Sequence, residues 1–143
     1  RSPFGIDCSG FTQIVFKFID VALKRDAYQQ AEQGKIVNFI EEATLGDLAF
    51  FSNETGKIIH VGIILKDQLI IHSSGKVRID KIDHYGIYHD ALKKYTHQLK
   101  IIKRIVWGVM RNIVVMVLIG IPVKSPIDIF KSEYMVNQQI LNA

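Results

Sequence analysis

Between Gly46 and Val106 short β-type runs alternate with turn residues, and no other feature of the chain narrows its fold as far. Leu48-Ala49-Phe50-Phe51, Ile58 to Leu65, Leu69 to His72 and Val77 to Ile82 are the runs. Ser52-Asn53-Glu54-Thr55-Gly56, Lys66-Asp67-Gln68 and Ser73-Ser74-Gly75 separate them. Short runs bounded by Gly, Asn, Asp and Ser read as strands with tight connections. Leu99 to Val106 reads as the last strand, and residues 84–95 as a loop with a helical turn. Ahead of this block the period is helical. Over residues 8–24, Ser9, Gln13, Lys17, Asp20 and Lys24 fall on one narrow polar stripe. Phe11, Ile14, Val15, Phe18, Ile19 and Ala22 lie opposite, which predicts a central, mostly buried helix. A second helix is expected from Asp26 to Gln33, with Asp26 as N-cap and Gly34 beyond its end. Helices followed by antiparallel strands make an α+β architecture, and 143 residues suit one domain of ordinary size.

The only cysteine, Cys8, stands where a loop becomes the first helix, within Gly5-Ile6-Asp7-Cys8-Ser9-Gly10-Phe11. The thiolate is the nucleophilic form, free cysteine titrates near about 8.5, and a helix N-terminus lowers that value. A reactive, low-pKa thiol is therefore expected. Gly5 and Gly10 let the backbone turn tightly and a substrate chain approach. N–H groups at the helix start can stabilise an oxyanion.

A thiol nucleophile needs a base, usually histidine, and often a third group to orient it. Of five histidines, His60 lies inside the strongest strand pattern and His72 ends the next run. One histidine on an apolar strand is more often structural than catalytic; two that face each other are another matter. Side chains alternate faces along a strand, so His60 and His72 share a face only if their connection holds an odd number of residues. The loop Lys66-Asp67-Gln68 meets that condition. It predicts His72 opposite Gly62 and His60 opposite Ser74, with the two histidine Cβ atoms about 5–8 Å apart. Gly62 would leave room for the His72 ring. His84, His89 and His97 lie in polar or turn-rich sequence and are expected at the surface.

Other chemistries find little support. There is no Cys-x-x-Cys and no His-x-x-x-His, so neither a metal nor a cofactor is expected. Asp7-Cys8-Ser9-Gly10 has too few glycines, at the wrong spacing, for a phosphate loop or dinucleotide site. A net charge of +4 without a run of lysines or arginines argues against a nucleic-acid partner.

Five segments together resemble the NlpC/P60 cysteine peptidases: Gly5-Ile6-Asp7-Cys8-Ser9-Gly10-Phe11, Arg25-Asp26-Ala27-Tyr28-Gln29-Gln30, Gly46-Asp47-Leu48-Ala49-Phe50-Phe51, His60-Val61-Gly62-Ile63 and Ile71-His72-Ser73-Ser74. The resemblance covers residues 1–105. It implies a papain-like α+β fold, with N-terminal helices packed on an antiparallel sheet and the catalytic cysteine at a helix N-terminus. It further implies hydrolysis of peptidoglycan stem peptides at the γ-D-glutamyl–diamino acid bond. Cys8 matches the nucleophile, His60 the general base and His72 the orienting third residue. Asp7, Ser9, Arg25 and Asp26 match positions at the substrate site, although Ala27 stands where many members have Ser. The implied partners are peptidoglycan stem peptides or muropeptides, and the implied location is the bacterial cell envelope, periplasmic or secreted. Two other readings keep the groove: a non-catalytic wall-binding module, and an amidase or acyltransferase on the same scaffold.

The chain opens on Arg1-Ser2-Pro3-Phe4 without Met and reads as a fragment of a longer protein, with targeting domains expected upstream. Residues 106–143 are expected to form a C-terminal extension outside the catalytic domain. Its apolar run, Ile113 to Val123, is short of the roughly 20 residues a membrane-spanning helix needs. Gly120, Pro122 and Pro126 interrupt it, so an extra packed element, or sequence that is not native to the domain, is the preferred reading over an interfacial anchor or a partner-binding segment.

Overall fold

The computed structural model describes residues 5–107; the expected extension, with its apolar run, lies outside them apart from Val106 and Trp107. The chain forms helix α1 (Cys8–Lys17), short helix α2 (Ala27–Gln30) and strands β1 (Lys35–Val37), β2 (Leu48–Ser52), β3 (Ile58–Ile64), β4 (Leu69–Ser74), β5 (Lys76–Ile82), β6 (Gly86–His89) and β7 (Lys94–Arg104). A 3₁₀ turn, Ile40–Glu42, precedes β2. The α+β order matches the sequence pattern.

All the strand pairings are antiparallel, in the order β1-β7-β2-β3-β4-β5-β6. Long β7 pairs with β6 through Lys94–Gln98 and with β2 through Gln98–Lys103, so the sheet closes into a barrel. Closure leaves two faces, and residues alternate between them as the pleat requires. Leu48, Phe50, Val61 and Ile63 look outward and pack with Val15, Phe16, Ile19, Leu23, Ala27 and Ala31 of the helical layer. Ala49, Phe51, Ile64, Ile70, Ile82, Ile87 and Ile102 fill the interior. Val106 is buried in the outer core, and Trp107 lies under the cations of Lys35 and Arg104.

Three elements differ from expectation. Helix α1 stops at Lys17 rather than near Lys24. Asp20 adopts a left-handed conformation (φ 62°), while Val21 N–H reaches Phe16 O at 2.9 Å and Asp20 N–H reaches Lys17 O at 3.0 Å. That is a Schellman stop with Asp in the place usually taken by Gly. The helix is also less buried than its narrow polar stripe suggested: Ile14 is 49% and Phe18 73% exposed, whereas Ser9 is buried. Helix α2 is a single turn; Gln29 accepts from the Asp26 N–H at 3.1 Å, which secures its start. Residues 86–89, expected in a loop, form β6, and β7 begins at Lys94 rather than Leu99. Strand β1 was not anticipated at all.

Candidate active site

Cys8 is the first residue of α1, and Asp7 is its N-cap, accepting from Gly10 N–H at 2.7 Å. The cap fixes where the helix begins and therefore where the thiol stands. Arg25, just ahead of α2, closes a fork on the same carboxylate, with Nη2 2.7 Å from Asp7 Oδ2 and Nη1 3.3 Å from Oδ1. Arg25 Nη1 also donates to Ser9 Oγ at 2.9 Å. Asp7, Ser9 and Arg25 thus form one polar group beside Cys8, while Asp26 is exposed at the head of α2. Beneath them lies Gln30, fully buried. It accepts from Thr12 Oγ1 at 2.8 Å and donates to Ser9 O and Lys24 O at 3.1 and 2.8 Å. Gln30 locks α2 to the first turn of α1, a role the sequence did not disclose.

The Cys8 thiol lies against β3. Its Sγ is 4.0 Å from Ile59 O and within reach of the Val61 N–H, so it touches the backbone on both sides of His60. Burial pushes the thiol above its ordinary pKa, and the Asp7 carboxylate adds to that. The N–H groups of Val61, Ser9 and Cys8 work the other way without prevailing. The low-pKa thiol expected of a helix start is therefore not the resting state. Removal from water outweighs the helix-end donors.

On the other side of β3, the hairpin obeys the parity argument. His72 pairs with Gly62, and the register continues to Ile64–Ile70 around the loop 66–68. That loop is made possible by left-handed Asp67 and Gln68 (φ 61° and 59°). The paired register does not extend to His60 and Ser74. Even so, His60 Nε2 and His72 Nδ1 are 2.8 Å apart. Gly62 is needed for this approach: a Cβ there would stand 2.9 Å from His72 Cβ and 2.7 Å from Ile70 Cδ1.

Three residues that the sequence reading did not select, Asp80, Arg78 and His97, complete the group. His72 Nε2 is 2.8 Å from Asp80 Oδ2, and Arg78 clasps that carboxylate through Nε (2.7 Å) and Nη2 (3.0 Å). His97, expected at the surface, instead stacks on the His60 ring with centroids 4.1 Å apart. Alternation offered a signal for two of them: Asp80 shares the inward parity of Ile82, and His97 that of Leu99. Of the other two histidines, His84 is exposed and half-buried His89 accepts the Leu92 N–H at 3.1 Å.

Burial dominates the titration of this interior cluster. It drives His60 down to about 2, helped by His97 and His72, and His97 down to about 4. His72 is lowered by burial too, although its hydrogen bond to Asp80 opposes the change. Burial resists ionisation of Asp80, but hydrogen bonds from Arg78 and His72 outweigh it and hold the carboxyl below its usual range. The imidazoles are neutral and the carboxylate charged. Among the described residues, no group of three or more such side chains is placed to hold a metal ion.

A helical layer that carries a cysteine at a helix start, packed on a closed antiparallel sheet that carries paired histidines, defines the papain-like α+β class. Within that class the chain belongs to the NlpC/P60 family, whose model matches residues 1–100. It is 43% identical over 74 residues to the γ-D-glutamyl-L-lysine dipeptidyl-peptidase of Bacillus subtilis, a match covering 50% of this chain and 25% of that protein. It is 42% identical over 72 residues to the murein DD-endopeptidase MepS/murein LD-carboxypeptidase of Escherichia coli K12, covering 49% and 37%. A crystal structure of an NlpC/P60 family protein from Bacillus cereus superposes with a TM-score of 0.57 at 29% identity, over 71% of this chain and 32% of that one. The chain thus spans between 25% and 37% of the length of these relatives.

Proposed function

We propose that this domain is a cysteine endopeptidase of peptidoglycan stem peptides, cleaving the γ-D-glutamyl–diamino acid bond in the cell envelope. The observation that carries the reading is the His60–His72 contact at 2.8 Å, on the strand whose backbone holds the Cys8 thiol. The murein and γ-D-glutamyl peptidases among its relatives supply the substrate class.

Cys8 Sγ attacks the γ-D-glutamyl carbonyl while His60 takes the thiol proton at Nδ1. His60 then returns it to the leaving amine. His72 holds the His60 ring in place, and the N–H groups of Cys8 and Ser9 stabilise the oxyanion. Because burial holds the thiol protonated and His60 neutral, proton transfer accompanies attack rather than preceding it. Asp7, Ser9 and Arg25 line the substrate approach, with Asp7 and Asp26 offering negative charge to a free amino terminus on the stem peptide.

Incubation of the complete chain with defined muropeptides, read by mass spectrometry, tests this. Scission after γ-D-glutamate is expected, with turnover abolished in a folded Cys8→Ala variant. Hydrolysis by Cys8→Ala, or release of other products only, such as those of an amidase, overturns the assignment.

A further inference from the structure

We propose that Asp80, held by Arg78, is a positioning residue that dictates which nitrogen of each histidine carries its proton and so leaves His60 Nδ1 free to act as a base. The proposal rests on the cysteine peptidase reading above and adds residues that reading did not assign.

The geometry of β4 and β5 sets the contact. Their register pairs His72 with Arg78 and Ile70 with Asp80, so Asp80 lies diagonally across from His72 on the same inward face. The His72 side chain is 1% and the Asp80 side chain 7% exposed, which leaves little room for water to stand in for either partner.

The hydrogen inventory then runs one way. An ionised carboxylate only accepts, and Arg78 keeps Asp80 ionised by donating to both of its oxygens. His72 Nε2, 2.8 Å from Asp80 Oδ2, must therefore carry a hydrogen. A neutral imidazole has one N–H, so His72 Nδ1 presents a lone pair. His60 Nε2, 2.8 Å from that lone pair, must carry the next hydrogen. His60 Nδ1 is left with a lone pair. Reversing any step reverses all that follow: a hydrogen on His72 Nδ1 would force one onto His60 Nδ1 and remove the base. Arg78 and Asp80 together carry no net charge, so the pair orders the chain of hydrogens without drawing an extra proton onto His72.

The test reads tautomers and turnover together, on the complete chain. In ¹⁵N-labelled wild-type protein, long-range ¹H–¹⁵N spectra at neutral pH should show His60 and His72 each as a single Nε2–H form; a wild-type spectrum with Nδ1–H at either residue overturns the proposal. Asp80→Ala removes the acceptor. It should mix the tautomers of both histidines and lower kcat on the order of 10-fold or more, with KM changed by less than about threefold. A purely structural role predicts instead that the tautomers in Asp80→Ala stay unmixed while turnover falls, and that result refutes the idea. If the wild-type chain proves inactive on murein peptides, the peptidase reading fails separately, while the spectra still decide whether Asp80 sets the tautomers.

Discussion

Lowering the pH from about 8 to about 5.5 is expected to destabilise this domain well before its carboxylates protonate. His60 and His97 are neutral in the fold, with values near 2 and 4, against about 6.5 in an unfolded chain. A group whose pKa is depressed by folding contributes stability above its unfolded value, and that stability is lost as the pH falls, because only the unfolded chain takes up the proton. One unit below 6.5 the loss is about 1.4 kcal/mol for each such imidazole, up to about 3 kcal/mol for the two. His72 acts in the same direction. Asp80 and Asp83, held below the usual carboxylate range, stay ionised across this window and neither add nor offset. With a urea m-value of about 1–3 kcal/mol/M, the unfolding midpoint should fall by roughly 1–3 M. Urea titration followed by circular dichroism at the two pH values measures it. His97→Phe keeps a flat ring against His60 but removes one titrating group, so the acid loss should shrink by about 1.4 kcal/mol. A midpoint unchanged between the two pH values would refute the reasoning. The acid limb of the proposed activity should likewise track unfolding rather than a titration of His60 in the folded protein.

Iodoacetamide labelling of Cys8 against pH should give a midpoint above the roughly 8.5 of free cysteine, because burial outweighs the helix-end donors; a midpoint below 8 would contradict that balance. Gly62→Ala should leave the barrel folded but displace His72, whose Cβ would be 2.9 Å from the new methyl; kcat on muropeptides should fall at least about 10-fold, and unaltered kcat would show that His72 needs no such room. Gln30→Leu removes the acceptor of Thr12 Oγ1 and the donor to part-buried Lys24 O and should cost about 1–3 kcal/mol in urea unfolding. His72→Gln should lower turnover less than His60→Gln, since in the proposed mechanism the first position orients the proton carrier and the second is that carrier; parallel kinetics on one muropeptide give the order.

How much of the site was legible depended on how local its determinants are. Cys8 could be placed at a helix start because its cap, Asp7, is adjacent, and the facing of His60 and His72 followed from loop length and parity alone. His97 depends on a strand whose signal is weak, and Asp80 on a strand that was read but whose inward face was not. Strand β5 carries Asp80 two residues before Ile82, but Lys76, Arg78 and Lys81 blur its alternation. The first half of β7 is Lys94-Tyr95-Thr96-His97-Gln98, polar enough to pass for a loop. It becomes a strand because β6 and β2 supply partners distant in sequence, a tertiary effect that a local pattern does not carry. The early end of α1 was hidden for a different reason: Asp20, not Gly, takes the left-handed stop.

The Cys8 thiol and the His60 and His72 rings are all withdrawn from water, and this explains their resting charge state. A thiolate–imidazolium pair formed in advance would hold two charges out of water with little compensation, a cost that burial usually makes larger than the Coulombic gain. The fold instead keeps thiol and imidazole neutral, while the charges of Asp7 and Asp80 beside them are clasped by Arg25 and Arg78. The donors that favour negative charge, the N–H groups of Val61, Ser9 and Cys8, are already in position. They are too weak to ionise the thiol alone. In the mechanism proposed above, the N–H groups of Ser9 and Cys8 act on the same charge once attack carries it onward from sulfur to the substrate oxygen, where no reorganisation is needed. On that reading the site is organised for the charge of the transition state rather than for that of the resting state, which is the condition for a differential interaction.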